Sequence, residues 1–362
     1  MKFVHAADLH LGSLRGVKTV SQEAKLTRYA AALIRVFEIA REQGAEAVVI
    51  AGDVFDHKNI KPKVRDLFLR TLLDYSDLQV LIINGNHDVL EDDYTSLHFL
   101  SLLQNRQRLP HVTLAEVTPR TTMVAGCLFI LVPFVGDSKV FRKRVKHLVK
   151  TACASSAVKK STPVVVVAHE MIANSKDDAG WQAKRSGFKL PKLKRVTYWA
   201  LGDIHRRQSI EGMRNAWYAG PPMQCNFKES PDKGVLLVDT RRPTRPTFIP
   251  IEHPDVAPLL NVEADTVEEV KERLSDAAEG AWVNLRCPGD VRAQLNPEDT
   301  ADAEVVKSVP SPRQQKEAAE QATQRIAVSI SDPLRSLPDY LIARMGYNKK
   351  QAREATQVAR EL

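Results

Sequence analysis

Asn84-Gly85-Asn86-His87-Asp88 is the stretch that decides how this chain is read. It follows Val80-Leu81-Ile82-Ile83, an apolar run with the length and composition of a short buried strand. Asn-Gly favours a turn on its own. The next three side chains carry more chemistry than a turn requires. Asn86 can offer an amide oxygen to a metal ion. His87 can take or give a proton near neutral pH. Asp88 can accept a hydrogen bond and fix a histidine tautomer.

Towards the N-terminus the same pattern occurs twice more. Met1 to Ala7 is mostly apolar and ends in Asp8-Leu9-His10, and Glu46 to Ala51 ends in Gly52-Asp53-Val54-Phe55-Asp56. A helix is predicted over Glu23 to Gln43, with Leu26, Ala30, Leu33, Ile34, Phe37 and Ala40 at helical spacing and Gly44 as a stop. Pro62 opens another, with Val64, Leu67, Phe68 and Leu72 on one face. Alternating strands and helices define an α/β class with a largely parallel sheet and right-handed crossovers. Polar residues at the carboxyl ends of the strands are where such sheets bind ligands.

Towards the C-terminus, a helix is predicted around Ser96 to Gln104 and a strand pair over Thr121 to Ala125 and Leu128 to Pro133, around Gly126. Ser138 to Cys153 reads as a basic amphipathic helix. Val164 to Ala168 ends at His169, and Tyr198 to Leu201 ends in Gly202-Asp203-Ile204-His205. Further strands are predicted over Ala216 to Ala219, Gly234 to Asp239 and Thr247 to Ile251. Pro243, Pro246, Pro250, Pro254 and Pro258 then mark a boundary. The expected domains are residues 1–252, a small α/β unit over 253–295, a polar linker over 296–332 and a helical tail over 333–362. In that tail Pro338, Gly346 and Asn348 suit helix ends.

Composition bounds the function. At 362 residues about two domains are expected. A net charge of +8 suits a polyanionic partner, or simply a basic protein. The four cysteines are scattered without a Cys-x-x-Cys pair, which fits a reducing cytosol and argues against a zinc knuckle. Asp8 and His10 interrupt any secretory leader, and runs such as Leu128 to Val135 are too short for a bilayer, so a cytoplasmic location without membrane association is expected. No P-loop occurs, so the chain does not read as an ATPase.

Asp8 and His10, Asp53, Asn86, His169, and Asp203 and His205 thus close five predicted strands. Hard oxygens mixed with imidazoles suit manganese, magnesium or iron better than a thiolate zinc site. Each block alone has a plain reading as a strand end, a turn or a buried histidine. Their joint occurrence does not.

These blocks resemble those of the calcineurin-like metallophosphoesterases: Asp-x-His, Gly-Asp, Gly-Asn-His-Asp, a lone His, and Gly-His-x-His. Within that superfamily the chain is similar to the SbcD-type nuclease subunits of DNA break repair and recombination. The similarity runs over roughly residues 1–240, through His5-Ala6-Ala7-Asp8-Leu9-His10-Leu11-Gly12, Gly52-Asp53-Val54-Phe55-Asp56, Tyr198-Trp199-Ala200-Leu201-Gly202 and Tyr218-Ala219-Gly220-Pro221. It implies a two-sheet α/β/β/α sandwich with a small capping domain and a C-terminal helical tail. It also implies two divalent ions, Mn2+ in first place and Mg2+ as the alternative. One would be held by Asp8, His10, Asp53 and His205, the other by Asp53, Asn86, His169 and the residue at 203. His87 would be the acid towards the leaving oxygen, and Asp88 would orient it. Asp203 departs from the family's histidine. Asp56 and His57 read equally as phosphate neighbours or plain loop, and His5 as a buried hydrogen bonder.

The implied activity is metal-dependent exo- and endonucleolytic cleavage of DNA with an SbcC-type coiled-coil ATPase, which the C-terminal helices would grip, in a heterotetramer built on a homodimer. Lys139, Arg142, Lys143, Arg144, Lys146 and Lys150 suit a phosphate backbone, as does a second basic cluster from Lys184 to Arg195. Lys184, Arg185, Arg206 and Arg207 are the candidate substrate contacts. Two other functions stay open: a phosphoesterase for nucleotides or other small molecules, and a non-catalytic DNA-binding scaffold.

Overall fold

Strand β1 (Lys2–Ala6) and strand β2 (Ala47–Ala51) show how the layers form. Every residue of β2 is buried, yet alternate side chains enter different cores. Val48 and Ile50 pack with Leu33 and Phe37 of a helix. Ala47, Val49 and Ala51 pack with Phe129, Val165 and Tyr198 of another sheet. A strand buried on both faces has no polar alternation, so it reads as a continuous apolar run.

This computed structural model describes residues 1–12, 17, 20–56, 60–91, 94–178, 180, 182–183, 188–256, 258–277, 280–296, 303–309, 337–338, 341–342 and 348–361. After β2 come β3 (Gln79–Ile83), a hairpin of β4 (Val89–Glu91) and β5 (Tyr94–Thr95), β6 (Val112–Ala115), β7 (Arg120–Val124) and β8 (Cys127–Val132). They are followed by β9 (Val164–His169), β10 (Tyr198–Gly202), β11 (Gln208–Ile210), β12 (Met213–Tyr218), β13 (Gly234–Asp239) and β14 (Thr247–Pro250). The first sheet has the order β14-β13-β1-β2-β3-β6, and the second β11-β12-β10-β9-β8-β7. β1, β2, β3 and β6 run parallel, as do β8, β9, β10 and β12.

The helices are α1 (Gln22–Glu42), α2 (Pro62–Asp74), α3 (His98–Asn105) and α4 (Ser138–Cys153). Ser21 caps α1 by accepting from Ala24 N, and Asp137 caps α4 by accepting from Lys139 N and Val140 N. Side chains of α1, α2 and α3 cover the first sheet. On the second sheet, Leu128, Ile130 and Val132 of β8 face Phe141, Val145 and Val149 of α4, while Cys127, Phe129 and Leu131 face the first sheet. The layers are therefore helix, sheet, sheet, helix, as the resemblance implies.

The chain divides into two compact units, one of Met1–Leu260, Ala277–Val283 and Asp302–Lys307, the other of Asn261–Asp276, Asn284–Ala301 and Ser308–Leu362. A three-stranded sheet has the order β15 (Leu259–Glu263), β16 (Ala281–Arg286), β17 (Ala303–Val309). β17 lies inside the stretch read from sequence as linker: its Val305, Val306 and Val309 are strand formers, and pairing outweighs the polar residues around them. The second unit holds α5 (Val267–Ser275), α6 (Gly289–Gln294) and α7 (Lys349–Glu361). Asn348 Oδ1 accepts from Lys350 N and Gln351 N, which caps α7 where the sequence places a cap. Gly346 lies outside the described residues.

Candidate metal centre

The carboxyl ends of β1, β2 and β3 in the first sheet and of β9 and β10 in the second bring the sequence blocks together. Asp8, His10, Asp53, Asp203 and the interposed Gly52 all have positive φ, at 54°, 41°, 50°, 101° and 89°. Such backbone costs a non-glycine residue about 1–3 kcal/mol and clusters at functional sites. A Cβ at Gly52 would collide with His169 Nδ1, and one at Gly85 with Asp53 Oδ1, so both positions require glycine.

Hydrogen bonds from the far side of the ring set the tautomers of His169 and His205. His169 Nδ1 lies 2.8 Å from Ala51 O, a carbonyl that can only accept, so Nδ1 donates and Nε2 of the neutral ring holds the lone pair. That Nε2 faces Asn86 Oδ1 at 3.0 Å, Asp53 Oδ2 at 3.4 Å and Asp203 Oδ1 at 3.9 Å. His205 Nδ1 donates to Glu229 Oε1 at 2.7 Å, whereas His10 Nδ1 makes no hydrogen bond, although Asp56 Oδ1 lies 3.1 Å away. The Nε2 atoms of His10 and His205 face each other at 3.0 Å, with Asp53 Oδ2 3.5 Å from that of His10. Asp8 Oδ2 is buried without a protein partner, while Asp8 Oδ1 accepts from Asp203 N at 2.9 Å.

Acceptors therefore converge on acceptors in two neighbouring places: Asp8, His10 and His205, and Asp8, Asp53 and His169. Asp53 lies between them. Only positive charge satisfies such a set, and this donor chemistry fits divalent cations. The same electrostatic field acts on protons. Burial alone would lower the His169 pKa, but Asp53, Asp8 and Asp203 hold it well above the usual imidazole range. Burial alone would raise Asp53; His169, His10 and His87 hold it below the usual carboxylate range instead. Burial, with Asp8 and Asp53 adding to it, raises Asp203.

His87 is partly exposed, and its Nδ1 donates to Asp56 O at 3.0 Å, which leaves Nε2 as the atom facing a ligand. Its ring centroid lies 4.9 Å from that of His10. Asp88 is elsewhere. Its carboxylate is fully buried and accepts from Phe55 N at 3.1 Å, Val54 N at 3.2 Å, Gly85 N at 2.9 Å and Ser96 Oγ at 3.1 Å. The expectation that Asp88 orients His87 is corrected: Asp56 holds the ring, and Asp88 ties the loop carrying Asp53 to the loop carrying Asn86. Burial, then the nearby Asp53, pushes the Asp88 carboxyl up to about 6.

Nothing in the sequence singles out Glu229. It fixes His205 and also accepts from Cys225 N at 3.0 Å and Asn226 Nδ2 at 2.7 Å. Its block, Cys225-Asn226-Phe227-Lys228-Glu229, has no motif to reveal it. His5 is buried between Tyr198 and Leu201, as its sequence reading has it. Among the substrate candidates, Arg206 is exposed, while Arg207 is engaged with Asp232 at 2.6 Å and stacks on Phe248 at 3.8 Å. Lys184, Arg185 and His57 lie outside the described residues.

Residues 1–207 match the calcineurin-like phosphoesterase family, and the chain belongs to it. Among curated relatives, it is 24% identical over 254 residues to the SbcD subunit of the nuclease SbcCD from Escherichia coli, across 63% of this chain and 62% of that one. It is 26% identical over 315 residues to the SbcD subunit from Bacillus subtilis, across 79% and 78%. It is also 26% identical over 339 residues to the DNA double-strand break repair protein Mre11 of Archaeoglobus fulgidus, across 86% and 72%. The chain thus spans somewhat under two thirds of the Escherichia coli relative.

Proposed function

We propose that this chain is a metal-dependent phosphodiesterase that cleaves DNA as the nuclease subunit of an SbcC-type ATPase complex. The observation that carries the reading is Asp53 Oδ2, between the Nε2 atoms of His10 and His169 at 3.5 and 3.4 Å, with Asp8 Oδ2 buried and unpartnered. Asp8, His10, Asp53 and His205 would hold one divalent ion, and Asp53, Asn86, His169 and Asp203 a second. When bound, Mn2+, or Mg2+ in its place, polarises a phosphate and lowers the pKa of water for in-line attack. Asp8, by accepting from Asp203 N, and His169, by donating to Ala51 O, tie the ends of the two sheets together. His87, its Nδ1 committed to Asp56, presents Nε2 to protonate the departing oxygen. Asp88 keeps the Asp53 and Asn86 loops in place.

The names of the relatives support DNA as substrate and the ATPase as partner. The apolar positions of α7, with Val358 exposed at 58%, support a helical docking segment over residues 333–362. The remaining proposals are a catalytic domain over 1–252, a capping domain over 253–295, a linker over 296–332, and a homodimer within a heterotetramer. The compartment is a reducing cytosol, in keeping with four free cysteines; no described helix is long and apolar enough to cross a membrane.

End-labelled duplex and single-stranded DNA, incubated with and without Mn2+, test the activity. Wild-type protein should cleave only with metal, and His87→Ser should lose about 10²–10⁴-fold in rate while still binding metal. Cleavage by Asp53→Ala at the wild-type rate would refute the assignment.

A further inference from the structure

Among the described residues, α4 carries a dense charge feature outside the metal centre. No Asp or Glu occurs between Asp137 and Glu170, a stretch that holds Lys139, Arg142, Lys143, Arg144, Lys146, Lys150, Lys159 and Lys160. Lys139, Lys143, Lys146 and Lys150 recur at i, i+4, i+7 and i+11, so they share one helix face. All four are exposed, and none takes part in an ion pair among the described residues. Phe141, Val145 and Val149 lie on the opposite face and are buried in the core of the second sheet. The row of cations is therefore fixed outward over about 16 Å, at 1.5 Å of rise per residue.

The loop that leads into α4 borders the metal centre. Phe134, three residues before the cap Asp137, has its ring centroid 6.4 Å from that of His169, and Phe134 N donates to Asn84 Oδ1 at 3.2 Å. Beyond α4, Arg195 donates to the carbonyls of Lys160 at 2.8 Å, Lys159 at 3.2 Å and Thr162 at 3.3 Å. That clamp holds a loop whose two lysine side chains are exposed.

We infer that the outer face of α4, continued by Lys159 and Lys160, is a track for the sugar–phosphate backbone of duplex DNA, leading away from the metal centre. The inference rests on the nuclease reading for its partner and on α4 for its place. Regularly spaced, unpaired cations without acidic neighbours suit a polyphosphate held without base readout. A membrane surface fits less well: the apolar face of α4 is already used by the core, and Val140 is its large exposed apolar residue, at 45%.

The test uses the full chain with EDTA present, so that cleavage does not interfere. Binding to a labelled duplex of about 30 base pairs is measured by anisotropy from about 50 to 200 mM salt. Lys143→Gln/Lys146→Gln/Lys150→Gln should flatten the slope of log K against log[salt] by roughly 2–3 and weaken binding at low salt at least about tenfold. Replacing the same lysines by arginine should restore the slope. Neutralising Arg241, Arg242 and Arg245, a basic turn between β13 and β14, should leave it unchanged. An unchanged slope in the α4 variant, or an equal fall in the β13–β14 control, would overturn the track. So would a loss confined to phosphatidylserine vesicles, which would make the face a lipid surface. Hydrolysis of a chromogenic phosphodiester with Mn2+ is read in parallel and should be unaffected by the α4 changes. If wild-type protein fails at that reaction, the phosphoesterase reading falls while the salt slope still decides the α4 track.

Discussion

Replacing His5 tests whether a buried neutral ring sets the acid stability of the catalytic sandwich. His5 is fully buried; Nε2 donates to Leu201 O at 3.2 Å, so Nδ1 accepts from the Tyr198 hydroxyl at 3.1 Å. A second proton would place a charge between the sheets and oppose the tyrosine's donation. Burial, only partly offset by the Leu201 bond, lowers the His5 pKa to about 3 from 6.5. The sign follows directly. Below about pH 6.5 the unfolded chain takes up a proton that the folded chain refuses, so the contribution is full above 6.5 and is lost as pH falls towards 3. At about 1.4 kcal/mol per pH unit, the loss between pH 6.5 and 4 is about 3 kcal/mol, a large share of an ordinary domain's stability. His5→Gln keeps a donor and an acceptor but cannot become charged. Near pH 7 it should cost about 1–2 kcal/mol through poorer hydrogen bonds, and the difference should shrink and reverse by about pH 4. Urea denaturation in EDTA at stepped pH measures this, and other titrating groups cancel in the difference. A wild-type-minus-variant difference that stays constant with pH would refute the reasoning.

Glu229→Ala should weaken Mn2+ binding about 10–100-fold by releasing the His205 ring, with calorimetric titration as the measure. Asp88→Ala leaves three backbone N–H groups unpaired; it should cost roughly 2–4 kcal/mol in denaturation and weaken metal binding although Asp88 is not placed as a ligand. Unchanged metal affinity with slower cleavage would instead restore Asp88 to the role of orienting His87. Gly52→Ala forces a side chain onto His169 at a positive φ, so metal binding should fall more than tenfold while circular dichroism keeps its α/β form.

The candidate ligands were legible because their side chains are chemically unlike the strands that deliver them. An aspartate, a histidine or an asparagine just after a short, mostly apolar strand stands out. The supporting residues were not. Glu229 lies in a loop of ordinary polar residues and acts only because β10 brings His205 within 2.7 Å. Asp88 sits inside the most recognisable motif, yet its role turns on which neighbouring N–H groups the fold brings to it. The strands show the same limit. β8 reads correctly as a strand, but Cys127-Leu128-Phe129-Ile130-Leu131-Val132 is apolar throughout, so the pattern does not say which face meets α4 and which meets β2. β6 and β11 are too short to stand out by alternation, and β17 depends on a partner strand.

Asp8, His10, Asp53 and Asn86 belong to one sheet, His169, Asp203 and His205 to the other, and their acceptors face one another across the seam. Without positive charge the seam is under electrostatic tension at the carboxyl ends of the strands. A cation held there would act as a rivet between the sheets, and its binding would be linked to the folding of the whole sandwich. At about 100 times its dissociation constant, such an ion adds about 2.7 kcal/mol of stability.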